Sequence, residues 1–380
     1  MSTDLQYLGK YKLQERLGQD SIAEGWKAFD IQLQRYVVVK ILHADLQNNP
    51  NFMARFWSLP LDQEVQVIAS LHHPNIARIH GFQVSLPQAS GNPLAYMVMD
   101  YIEGQSLADY IRNTSFKGEF PPAADLVRLF ASLAVAIDYA HQQGIIHGNI
   151  KPSNILLDKR DTSNPMGEPV LTDFGITRLL GISADAVSHW ESDMLSYISP
   201  EQAEGQPGNE RSDIYALAVM LYEMYAGVQP FSGESAQEVM IQQVSTMPPA
   251  PKKINRAILP AVSALIMRNL AKDPAERFPS ATAMTEALEK ALDISNSETI
   301  RLPSYPKNVI NDQSNRSSAL STLPTTRLPA IQKQASSTEP VPFRRRRGWH
   351  RRSLYTALII VLLIILAASI LAALLIFAHM

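Results

Sequence analysis

HGNIKPSNILL (His147–Leu157) and TDFG (Thr172–Gly175) decide how this chain reads. Each joins apolar residues to side chains able to handle charge: Lys151 and Asn154 in the first, Asp173 in the second. YISPEQ from Tyr197, RSDIYALAVMLYEMYAG from Arg211 and KDPAERF from Lys272 follow in order. Outward from this stretch the pattern changes character. YVVVK (Tyr36–Lys40) is short and β-branched, as a strand requires. Gln63 to Leu71 places Val65, Ile68 and Ala69 at helical spacing and stops before Pro74. AADLVRLFASLAVAIDYAHQQG from Ala123 repeats apolar residues three and four apart and ends in Gly144, a helix C-terminal signal. Strands come first and helices later, which predicts a small sheet-rich part followed by a larger helical one.

The 380 residues hold 34 Lys plus Arg against 36 Asp plus Glu, a net charge of -2, so no basic excess points to nucleic acid. With 46% apolar and 18% charged residues, most of the chain can bury a core, which excludes a wholly disordered protein. Cysteine is absent, which rules out disulfide scaffolds, thiolate zinc sites and cysteine nucleophiles. His72 and His73 read as part of a turn, because no further ligand follows at metal-binding spacing. Met220 and Met224 read as a core stripe, and Trp26 as packing for the first sheet.

The last quarter differs. Residues 295–343 are rich in Ser, Thr, Pro, Asn and Gln, a composition that cannot bury enough apolar surface to offset chain entropy, and so read as a disordered tether. Residues 344–352 form a basic cluster containing Arg344, Arg345, Arg346, Arg347, Arg351 and Arg352. From Leu354 to Ala378 no residue is charged, and about 25 residues at 1.5 Å each span a hydrocarbon core of ~30 Å. This predicts a single transmembrane helix at 354–378, with the preceding arginines keeping the bulk of the chain cytoplasmic. The bilayer is then a partner.

The five segments resemble, in order and spacing, the bacterial membrane-anchored Ser/Thr protein kinases that share the eukaryotic-like protein kinase fold. The resemblance covers residues 11–292 and implies an α+β bilobal fold with a small β-rich N-lobe and a larger helical C-lobe. It further implies ATP and Mg²⁺ as cofactors, and protein partners or substrates in phosphorylation signalling. On the matching positions, Lys40 grips the α and β phosphates with Glu64 as its carboxylate partner, and Gly18 belongs to the phosphate-covering loop. Asp173 and Asn154 hold Mg²⁺, Lys151 contacts the transferring phosphate, and the backbone of Asp100 and Ile102, beside Met99, meets the adenine edge.

Departures accompany these matches. His-Arg-Asp reads His147, Gly148, Asn149, so the carboxylate that accepts the substrate proton is an amide. The glycine-rich loop reads Gly18, Gln19, Asp20, Ser21, Ile22, Ala23, bringing a carboxylate toward anionic phosphates. Gly25 and Val38 replace the usual valine and alanine over the adenine, and the extra methyls of Val38 are expected to fill the room left at Gly25. Met194 replaces the threonine that bonds the catalytic aspartate and lysine. Framework residues are kept: Glu201 and Arg277 are expected to form a buried ion pair, and Asp213 to brace the catalytic loop. The leading expectation is a pseudokinase that binds ATP weakly and acts as a scaffold or allosteric partner. The alternatives are a slow but active Ser/Thr protein kinase and a nucleotide-independent interaction module at the membrane.

Overall fold

Burial alternates between two faces along YVVVK, and that alternation organises the first half of the molecule. Successive strand side chains point to opposite faces. Val37 and Val39 lie with Tyr11, Leu13, Ala28, Tyr96 and Val98 on one face, while Val38 joins Met97 and Met99 on the other. A strand apolar on both faces belongs in the middle of its sheet. The computed structural model describes residues 7–20, 22–58, 63–85, 94–117, 121–160, 164–175 and 195–293. The tether, the basic cluster and the apolar run at 354–378 lie outside these residues. Among the described residues no helix is long and apolar enough to cross a membrane.

The first part is an antiparallel sheet of β1 (Tyr7–Leu8), β2 (Tyr11–Gln19), β3 (Ala23–Asp30), β4 (Arg35–Leu42), β5 (Ile79–Ser85) and β6 (Leu94–Asp100), in the order β1-β2-β3-β4-β6-β5. β4 is accordingly interior. α1 (Gln63–Ser70) falls between β4 and β5 in sequence, where the spacing of Val65 and Ile68 places a helix, and both are buried. A second, three-stranded sheet of β7 (Gly104–Ser106), β8 (Ile155–Asp158) and β9 (Glu168–Leu171) follows. Gly104 permits it, because a Cβ there would lie 1.8 Å from the Leu157 carbonyl oxygen. The two parts are stitched at Leu171, whose N–H donates to Asn75 O and whose carbonyl accepts from Ala77 N, both at 2.8 Å.

Helices build the second part: α2 (Leu107–Lys117), α3 (Ala123–Gln142), α4 (Glu210–Ala226) and α5 (Ala281–Leu292). α3 buries Leu126, Leu129, Phe130, Leu133 and Ile137, and the chain turns at Gly144 with φ +75°. α4 is buried nearly all round, including Tyr215, Met220, Tyr222 and Met224, so it is the axis of this part rather than a surface helix. Each such buried side chain contributes about 1.5–3 kcal/mol. Asn209 caps its start and Gly227 ends it at φ +76°. Asp138 of α3 accepts from Ala281 N and Thr282 N at 2.9 Å, so the start of α5 is held by α3.

Candidate active site

Lys40 ends the buried stretch of β4, and Asp173 follows β9 across the cleft between the two parts. Lys40 Nζ donates to both carboxylate oxygens of Asp173, at 2.8 and 2.7 Å, and to Asp20 Oδ2 at 3.0 Å. Burial alone lowers an ammonium pKa, but the carboxylates of Asp173 and Asp20 outweigh it and raise Lys40 well above its ordinary value. Asp173 has φ +64°, a left-handed backbone that a non-glycine residue adopts at a cost of about 1–3 kcal/mol. Its neighbours hold it there. Phe174 is buried against His147, with ring centroids 4.5 Å apart, and Gly175 follows at φ +62°. A Cβ on Gly175 would lie 2.9 Å from Ile68 Cδ1, so α1 packs directly on this turn.

Asp20 sits at the tip of the β2–β3 hairpin. Its Oδ1 accepts from Ile22 N at 2.9 Å and Ala23 N at 2.8 Å. Its own N–H donates to Ala23 O at 2.9 Å, and His43 Nε2 donates to its carbonyl at 2.6 Å. Burial raises its pKa, yet the Lys40 ammonium and the two amides more than reverse this and hold it below the usual carboxylate value. The sequence reading aimed this carboxylate at an incoming anion. In the structure it turns back on its own loop and on Lys40. An aspartate two and three residues before free amides is an Asx-turn signal, and that signal was available in the sequence.

The loop 147–154 is fixed from below. Asp213, in the first turn of α4, accepts from His147 N at 2.9 Å, Gly148 N at 2.8 Å and His141 Nε2 at 2.8 Å. Asp213 thus braces the loop as expected. His147 Nδ1 accepts from Asn149 N at 3.3 Å, so Nε2 carries the proton; it is buried without a partner among the described residues. Burial lowers the His147 pKa, consistent with a neutral ring. Asn154 Nδ2 donates to Asn149 O at 2.9 Å, which leaves Oδ1 as the Asn154 side-chain atom with lone pairs for a cation. Asn154 O accepts from Thr172 N at 2.9 Å, and Thr172 Oγ1 donates to Asp173 Oδ2 at 3.2 Å. One threonine therefore ties together the two residues expected to hold Mg²⁺. A carboxylate and a neutral amide oxygen are the hard donors such a cation takes.

Lys151 is buried and, with Ser153, Tyr110, Arg112 and Glu223, lines a cavity of about 310 Å³ between the loop, α2 and α4. At the other end of the cleft, Asp100 N donates to Arg78 O at 3.0 Å, and the Asp100 carboxylate accepts from His80 Nε2 at 2.8 Å. The backbone N–H and C=O of Ile102 make no backbone hydrogen bond among the described residues, while its side chain packs with Ala77 and Val170. Gly18 lies on β2 opposite Gly25. Glu64 lies on α1, but its side chain is outside the described residues, as is all of Met194.

One expectation fails. Val38 does not fill the room at Gly25: among the described residues outside its chain neighbours, the atom within 4 Å of a Cβ built there is Gly18 O, at 3.8 Å. The register explains this, since Gly25 faces Lys40 and Val38 faces Lys27, one diagonal step away. By contrast the framework pair forms. Arg277 Nη1 and Nη2 donate to the two oxygens of Glu201 at 2.8 and 2.9 Å, and both residues are buried.

Residues 11–290 match the family model described as protein kinase domain. Among curated relatives, the chain is similar to the serine/threonine-protein kinase PknB of Mycolicibacterium smegmatis, 33% identical over 344 residues, covering 90% of this chain and 50% of that protein. It is also similar to the serine/threonine-protein kinase PrkC of Bacillus subtilis, 35% identical over 287 residues, covering 75% of this chain and 41% of that one. The chain thus spans half or less of the length of these relatives. A crystal structure of a cysteine-to-alanine mutant of the Mycobacterium tuberculosis PknI kinase domain aligns with 77% of this chain and 99% of that one, at a TM-score of 0.58 and 24% identity, a likeness of fold.

Proposed function

The chain belongs to the protein kinase family, and from that premise we propose that it is a membrane-anchored pseudokinase: a weak ATP binder that acts as a scaffold or allosteric partner in phosphorylation signalling. The observation that carries this reading is Asn149. Its peptide is fixed by His147 Nδ1 and Asn154 Nδ2, in a loop braced by Asp213, yet its side chain is an amide. An amide can orient a hydroxyl but does not accept its proton at neutral pH. Losing general-base help costs roughly 10²- to 10⁴-fold in rate, or ~3–5 kcal/mol.

The remaining groups support nucleotide binding in the same cleft. Lys40 is charged and directed, and would contact the α and β phosphates. Asp173 and Asn154 would hold Mg²⁺, which when bound neutralises phosphate charge, and Lys151 would contact the transferring phosphate. The backbone of Ile102 and Asp100 offers the adenine edge its partners. Retention of this apparatus favours the second reading, a slow Ser/Thr kinase in which Asn149 only orients the acceptor. Anchoring rests on the uncharged run at 354–378 and the arginines before it, which place the kinase-like domain in the cytoplasm. On fractionation the full chain is expected in the membrane pellet; its release by high salt alone would refute a spanning helix.

Thermal melting of the full chain in detergent, with ATP plus Mg²⁺ or EDTA, tests the nucleotide site. At a hundred times the dissociation constant, ligand adds ~2.7 kcal/mol of stability and raises the melting point by several degrees. Identical melting with and without ATP and Mg²⁺ would leave the nucleotide-independent module as the better reading.

A further inference from the structure

The loop that should cradle phosphate already holds an anion. Asp20 accepts three hydrogen bonds, from Ile22 N, Ala23 N and Lys40 Nζ, at 2.9, 2.8 and 3.0 Å. Two successive backbone amides and one ammonium are the donor set that phosphate oxygens use in such loops. We propose that Asp20 is an intramolecular phosphate surrogate that determines ligand specificity: it occupies the anion position of the cleft, so the cleft accepts a nucleoside without rearrangement but a nucleotide only by displacing Asp20. This inference rests on the nucleotide-cleft reading above.

Turn geometry alone does not explain the arrangement. An Asx turn needs only Oδ1, which caps both amides; Oδ2 reaches instead to a lysine twenty positions along the chain. Lys40 in turn grips Asp173, so one ammonium serves two carboxylates and the cluster as a whole is anionic. A triphosphate entering it would meet net negative charge, and the released Asp20 would remain beside the ligand. The loop is held in place by the Asp20 N–H to Ala23 O bond and by His43 on the Asp20 carbonyl. The Asp20 side chain is nevertheless 34% exposed, so the surrogate is exchangeable rather than sealed in.

Calorimetric titration of the full chain with adenosine, ADP and ATP, each with Mg²⁺, tests this. Two variants are compared with the wild type: Asp20→Asn, whose amide oxygen still caps Ile22 and Ala23, and Asp20→Ser, which caps through its hydroxyl. Both remove the charge, and melting curves establish which of them is folded. The wild type is expected to bind adenosine at least as tightly as ATP. Either variant is expected to bind ATP about tenfold more tightly, the effect being limited by the partial exposure of Asp20, while adenosine affinity stays within about twofold. A wild type that prefers ATP over adenosine by tenfold, or variants in which both ligands change alike, would overturn the surrogate and leave the nucleotide cleft standing. Failure of every ligand to bind wild type and variants would overturn both.

Discussion

Arg277→Met is the substitution whose cost follows most directly from the structure. The guanidinium has no exposed side-chain surface and donates five hydrogen bonds: two to Glu201, and one each to Ala271 O, Arg211 O and Lys272 O. Exposed ion pairs contribute about 0–1 kcal/mol, but breaking a buried pair from one side costs about 3–5 kcal/mol, because the surviving charge is stranded. Among the described side chains Glu201 would retain the Ser212 hydroxyl, which donates at 2.7 Å. Against a total stability of about 5–15 kcal/mol, a loss of 3–5 should lower the melting point by about 6–20 °C. The pH dependence supplies a second signature. Burial raises the Glu201 pKa, but Arg277 and Ser212 overcome it and hold the folded value below the ordinary 4.5. The wild-type pair therefore contributes stability above pH 4.5 and loses it as pH falls through the depressed folded value. In Arg277→Met burial acts against only Ser212 and the residue's own backbone amide, so Glu201 takes up a proton on folding and the deficit narrows from pH 7 toward pH 5. Urea unfolding across that range, with Glu201→Met/Arg277→Met as the apolar control, is the assay. The double variant should recover most of the loss. A single-variant loss under about 1 kcal/mol, or a deficit that widens on acidification, would refute the reasoning.

Two further outcomes follow from the same geometry. Gly175→Ala should destabilise by about 1–2 kcal/mol for the left-handed backbone, plus the cost of displacing Ile68; adding Ile68→Val should recover only the second part, as read by urea unfolding. Partial burial lowers the His141 pKa, but the Asp213 carboxylate overrides this and raises it above 6.5. Its ion pair therefore stabilises fully below pH 6.5 and is lost as pH rises through the raised value, so the wild type's advantage over His141→Gln should shrink between pH 6 and 9; an advantage independent of pH would contradict the pairing.

Much of this architecture could be read from the residues. The β-branched run at Tyr36 became the interior strand, the 63–71 spacing became a helix over Gln63–Ser70, and Gly144 terminated the long helix as its position implied. These features are local, and local patterns carry their own physics. Contacts between segments were less accessible. The Asp20 contact to Lys40 depends on how the hairpin folds over β4, and the unfilled room at Gly25 depends on a register that places Lys40, not Val38, opposite it. Strand β7 is three polar or small residues, Gly104–Ser106, defined only by its pairing with β8. The pair proposed to hold Mg²⁺, Asn154 and Asp173, was legible as motif positions, but Thr172 as the link between them was not.

The central claim concerns position 149, and phosphoryl transfer measures it directly. The 380-residue chain, γ-labelled ATP, Mg²⁺ and a generic basic protein substrate should give transfer at or near background for the wild type. Asn149→Asp combined with Met194→Thr should raise it by about 10²-fold or more, through restored proton acceptance. Robust transfer by the unaltered chain, abolished by Lys40→Met and so traceable to its own cleft, would contradict the account.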